Sequence, residues 1–226
     1  FYYRSICNIF EFEDKKTMDR AITVKLADRM HNILCIECFS EERRLYQCFK
    51  NLFILNSTKK YILENYGTGL ISKYPSSALG LLFKRCCKAT YEAFLTICHL
   101  THQRGIGDVK SLLQLAFKKF ALERSGAKSV TSLDINEWHP IRLYGGIIRK
   151  YDFRLVHNWS KYDHIKVSER NYCKKFFVDF NYSNEQIQAI IDYKDAYALK
   201  ETIAYLLYWP EYILEGFEYS DLFNDY

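Results

Sequence analysis

The 226-residue sequence predicts a mainly α-helical protein, a helical bundle with a helical extension that carries a small irregular or β-hairpin element. Three observations lead there. Apolar residues recur at three- and four-residue spacing through most of the chain, as the buried stripe of a helix requires. Helix-capping residues stand just ahead of those runs. Only 3 Pro and 9 Gly interrupt them. With 49% hydrophobic and 26% charged residues the composition is that of a globular protein rather than a disordered one, at a length sufficient to bury a core.

Ser40 caps a predicted helix over 41–53, whose Leu45, Cys48, Phe49, Leu52 and Phe53 share a face. Asn56-Ser57 reads as the start of another, ending at Gly67. Pro75-Ser76-Ser77 opens a long helix to about His102, apolar nearly all round and therefore expected at the centre. Asp108 caps an amphipath built on Val109, Leu112, Leu113, Ala116, Phe117, Phe120 and Ala121. Ser183 and Gln186 form a capping box ahead of Ile187, Ile190 and Ile191, and the helix runs towards Trp209-Pro210. Between these, 127–182 is less regular. Residues 141–156 suit a hairpin turning at Gly145-Gly146, or a helix-turn-helix, and 176–180 suit a short strand. The glycines at 105 and 107 mark the expected boundary between a region 1–104 and an extension 105–226.

Charge is unevenly distributed. Residues 1–88 hold 15 Lys/Arg against 9 Asp/Glu, and 89–226 hold 17 against 18. The basic part suits an anionic ligand such as a nucleotide, although a net +6 is a modest field. Basic doublets such as Lys15-Lys16, Arg43-Arg44 and Lys174-Lys175 fall at different helical phases, which reads as scattered solvated charge rather than a nucleic-acid surface. The run from Glu211 to Asp225 is acidic and reads as a solvated end. No stretch has eighteen uncharged apolar residues, since Lys88 and Glu92 break the longest, so no membrane span is expected. The eight Cys lack the spacing of a secreted disulfide framework and read as reduced thiols in a cytoplasmic setting. A chain that starts at Phe1, without Met, reads as a piece of a longer one.

The densest chemistry lies in Val24-Lys25-Leu26-Ala27-Asp28-Arg29-Met30-His31-Asn32. On a helix Asp28 and Asn32 share a face, and Lys25 reaches Asp28. The run Leu-Ala-Asp-Arg-x-His-Asn resembles the last metal-ligand motif of the RelA/SpoT-type HD hydrolases, which remove pyrophosphate from guanosine tetraphosphate. The resemblance is close over 22–33, weak to 88, and absent beyond. It implies an HD-like helical fold in the first region, with Asp28 as a metal ligand and Asn32 facing the nucleotide. Lys25 and Arg29 would add electrostatic contacts to substrate. The family holds manganese with an early His, a consecutive His-Asp pair and this Asp. Here no His-Asp dipeptide occurs and no His precedes residue 22. Ile33, Leu34, Cys35 and Ile36 stand where the family usually has Met-Arg-Thr-Leu. One carboxylate does not hold a catalytic Mn²⁺.

The remaining motifs are sparser. Cys35-Ile-Glu-Cys38 is a single C-x-x-C without a second pair for zinc; a redox dithiol is a further alternative, and the motif reads mainly as buried helix cysteines. His99 and His102 offer imidazoles that would complete a metal site only if they met Asp28. His139, His157 and His164 are flanked by aromatic residues but have no nucleophile at triad spacing. Together these features lead to the expectation of a non-catalytic helical interaction or regulatory module, cytoplasmic and of the kind a bacterial effector carries, that binds a protein partner on a degenerate HD-like fold without a cofactor. The alternative is the C-terminal part of a Mn-dependent guanosine tetraphosphate pyrophosphohydrolase.

Overall fold

A computed structural model describes residues 6–11, 14–71, 77–107, 109–115 and 159–214. Five long helices dominate: α1 (Lys15–Leu34), α2 (Glu41–Tyr66), α3 (Ala78–His102), α4 (Trp159–Phe176) and α5 (Asn184–Tyr208). Short 3-10 turns cover Asn8–Glu11, Ile36–Cys38, Thr68–Ile71 and Val178–Phe180, and 109–115 is helical. There is no strand among the described residues. The protein is mainly α, as the spacing of its apolar residues predicts. The expected hairpin at 141–156 lies outside the described residues.

The chain divides into two compact units, and the division is not a single cut. One unit comprises the described residues up to Phe94 together with those from Thr202 onward; the other is Leu95–Glu201. The expected split at 104/105 differs from this in leaving the C-terminal segment with the extension. What joins that segment to the first unit is a set of polar contacts that local sequence patterns do not reveal.

In the first unit, Asp14 caps α1, accepting from the amides of Lys16 at 3.3 Å and Thr17 at 2.8 Å. The buried stripe of α1 is Ile22, Leu26, Arg29 and Ile33, a three- and four-residue spacing that faces α2. Helix α2 runs unbroken through Asn56-Ser57, so the expected start of a new helix there is corrected. Those polar residues are interior. Asn56 donates to the Leu214 carbonyl at 3.0 Å and accepts from its amide at 2.7 Å. Asn51 donates to Thr90 Oγ1 at 2.9 Å on α3. Every residue from Asn51 to Lys59 is at most 1% exposed, which makes α2 the central helix. Helix α3, expected at the centre, is amphipathic instead. Within this unit it buries Leu79, Phe83, Cys86, Cys87, Thr90 and Phe94 and exposes Leu81, Arg85 and Lys88. Gly67 ends α2 at φ 65°, ψ −168°, a region essentially restricted to glycine.

In the second unit, α5 carries the core. Its residues from Tyr193 to Lys200 are all buried, together with Ile187, Ile190 and Ile191. The capping box forms as predicted: Gln186 N donates to Ser183 Oγ at 3.3 Å, and Ser183 N to Gln186 Oε1 at 2.9 Å. Helix α4 is largely exposed and anchored by Cys173, with Phe177 buried just beyond its end. The strand expected at 176–180 is the end of α4 followed by a 3-10 turn, closed at Asn181 with φ 51°. Its aromatic residues cluster around one turn rather than alternating across a sheet.

Candidate functional site

The motif residues do come together on α1. Asp28 Oδ2 lies 3.3 Å from Lys25 Nζ and 3.3 Å from Arg29 Nε. Its Oδ1 accepts from Asn32 Nδ2 at 3.3 Å, and the same amide donates to the Asp28 carbonyl at 3.0 Å. The Asp28 side chain is 49% exposed, whereas that of Arg29 is only 9% exposed. Arg29 lies in the buried stripe and donates to Gln47 Oε1 on α2 at 3.5 Å. Partial burial pushes the Asp28 carboxyl up, but the charges and hydrogen bonds of Arg29 and Lys25 outweigh it and hold the group below its usual range. Lys50 on α2 belongs to the same field. Burial lowers its pKa, and the charges of Arg29 and Lys25 lower it further. Lys25 and Arg29 thus act on both the Asp28 carboxylate and the Lys50 ammonium.

Among the described residues no group of three or more His, Cys, Asp and Glu is arranged to hold an ion. His31 is exposed, and His99, also exposed, pairs through Nε2 with Gln103 Nε2 at 3.1 Å. His164 is exposed on α4, and His139 and His157 lie outside the described residues. Cys35 and Cys38 differ from expectation: they are exposed on the turn between α1 and α2, while Cys7, Cys48, Cys86, Cys87, Cys98 and Cys173 are buried.

Sequence reasoning missed two constellations. The first is a set of charges within the second unit. Lys194 is buried, ion-paired with Glu169 and 2.9 Å from Asp195 Oδ1. Arg104 Nη2 lies 2.8 Å from Asp192 Oδ2, and Gln188 Nε2 donates to Asp192 Oδ1 at 2.9 Å. Burial raises the Asp192 pKa more than Arg104 and Gln188 lower it. The signal was present: Lys194 continues the spacing of Ile187, Ile190 and Ile191, a core position occupied by a cation. The second is an aromatic row at the α4–α5 connection. Tyr172 stacks on Phe176 at 6.4 Å, and Phe176 meets Phe177 edge-on at 4.8 Å. Phe177 meets Phe180 at 5.9 Å, and Phe180 stacks on Tyr182 at 5.4 Å. Within the row Phe180 is 46% exposed, and the neighbouring Val178 is 68% exposed. Elsewhere on α4, Lys166, Arg170 and Lys174 are exposed at four-residue intervals beside the exposed Val167.

No family model, curated protein or solved structure matches this chain.

Proposed function

We propose that the chain is a non-catalytic helical interaction module that binds a protein partner through the α4–α5 connection, and that its HD-like motif is degenerate. The observation that carries this reading is the aromatic row at this connection with the exposed Phe180 and its neighbour Val178. Rigid, clustered aromatic side chains with exposed edges are what binding hot spots use, because little conformational entropy is lost on contact. The exposed Lys166, Arg170 and Lys174 of α4 select the chemistry of the partner: an acidic segment with apolar side chains.

The test uses two model amphipathic peptides, one of Glu and Leu and one of Lys and Leu, titrated against the full chain. The acidic peptide is expected to bind. Val178→Ser with Phe180→Ser should weaken it by at least roughly tenfold, as should Lys166→Glu with Lys174→Glu. Equal binding of both peptides, or binding unaffected by the apolar pair, would count against this surface.

The shared field of Lys25, Arg29 and Lys50, which lowers the Lys50 pKa after burial does, favours a second reading, an anionic ligand such as a guanosine polyphosphate, with Asn32 beside it. Mn²⁺-dependent release of pyrophosphate from guanosine tetraphosphate, abolished by Asp28→Ala, would establish that reading and overturn the non-catalytic one.

A further inference from the structure

Cys35 and Cys38 are the two exposed thiols among eight, and they stand at the two ends of one 3-10 turn. The turn is closed by Cys38 N donating to the Cys35 carbonyl at 3.0 Å. In such a turn the rise of about 2.0 Å per residue places Cα(i) and Cα(i+3) about 6 Å apart, with their side chains eclipsed. A disulfide accepts Cα separations of about 4.4–6.8 Å. The turn therefore sets the two Cα atoms at a separation that a disulfide spans. The turn itself is fixed from beneath. Ile33 and Ile36 are buried on either side of Cys35, Cys35 N donates back to the His31 and Ile33 carbonyls, and Arg44 Nη2 on α2 donates to the Glu37 carbonyl at 3.0 Å.

The other six thiols are unsuited to the same chemistry. They are buried, and burial pushes Cys7, Cys86, Cys98 and Cys173 up to about 12, which suppresses the thiolate that attacks disulfides. Metal capture by the exposed pair lacks support, since no third ligand stands with it among the described residues.

We propose that Cys35 and Cys38 form a redox-active dithiol that is oxidised by small disulfides of the glutathione type. A thiolate of the pair attacks one sulfur of the small disulfide, breaks its S–S bond and expels one small thiolate, leaving a mixed disulfide. The second cysteine loses its proton and attacks the protein sulfur of that mixed disulfide. The Cys35–Cys38 bond forms and the second small thiolate leaves. The protein gives up two electrons and two protons, and the oxidant is reduced to two thiols.

The experiment treats the native full chain with glutathione disulfide, then measures intact mass and maps peptides. Expected is a product lighter by two hydrogens with Cys35 joined to Cys38, and loss of both iodoacetamide-reactive thiols from the native protein. Dithiothreitol should restore them. Cys35→Ser and Cys38→Ser each alter only an exposed side chain, and each should instead retain one glutathione on the remaining cysteine, because the resolving thiol is gone. Stable glutathione on both cysteines of the unaltered protein would overturn the proposal. So would no reaction at either, a bond from either to a third cysteine, or a closed product in a single Ser variant.

Discussion

Asp28 and Arg29 are sequence neighbours placed in opposite surroundings. The carboxylate is half exposed on α1 and held by Lys25, Arg29 and Asn32; the guanidinium lies in the buried stripe and reaches Gln47. Their contributions to stability should separate accordingly. Exposed ion pairs contribute roughly 0–1 kcal/mol, so Asp28→Asn should shift urea unfolding by less than about 1 kcal/mol. Arg29→Ala removes both packing and the bond to a facing helix, and a loss of about 1–3 kcal/mol is expected in the same measurement. Near-equal effects would mean that the carboxylate, not the arginine, organises the segment. The juxtaposition of Lys25, Asp28 and Asn32 was legible because helical spacing alone decides who shares a face. The burial of Arg29 was not obvious, since a charged residue is normally assigned to solvent. Its place in the series Ile22, Leu26, Arg29, Ile33 was nevertheless visible in the sequence.

At the scale of helices, α2 shows why polar residues mislead. Asn56-Ser57 has the composition of a helix start, yet the helix passes through with both residues buried and the Asn56 side chain bonding Leu214 near the chain's distant end. Lys59 completes the arrangement. It is fully buried, and its ammonium donates to the Leu206 carbonyl at 2.8 Å and the Trp209 carbonyl at 2.5 Å, capping the end of α5. Lys59→Ala leaves those carbonyls without the donor and opens a gap in the core, so an unfolding free energy lower by roughly 2–4 kcal/mol is expected in urea. A change under about 0.5 kcal/mol, of the size seen at ordinary surface sites, would show that the cap is dispensable. The capping box at Ser183 and the end at Gly67 were readable because each is a local arrangement of a few residues. The central helix was misassigned because apolar content marked α3, while α2 buries asparagine, serine, threonine and lysine alongside its apolar residues.

For the whole molecule, the buried thiols set a pH response. Cys7, Cys86, Cys98 and Cys173 have folded pKa values of about 12 against 9.0 when exposed. Between those values the folded state holds protons that the unfolded chain releases. Their stabilisation is complete below pH 9 and is lost as the pH rises towards 12. Lys59 works the other way. Its folded pKa of about 8 lies below 10.5, so the unfolded chain binds more protons across that window and stability rises through it. Four thiols outweigh one lysine, and calorimetry in the presence of a reductant should show Tm falling above about pH 9. A Tm that instead rises from about pH 9 to 10.5 would mean the lysine dominates. The bonds from Asn56 and Lys59 also have a consequence for synthesis on the ribosome. They join residues 147–158 positions apart, so an emerging chain displays the buried face of α2 long before the residues that cover it have been translated. Throughout that interval, elongation time rather than intrinsic folding speed limits completion of the first unit, and its uncovered face is a ready substrate for ribosome-associated chaperones.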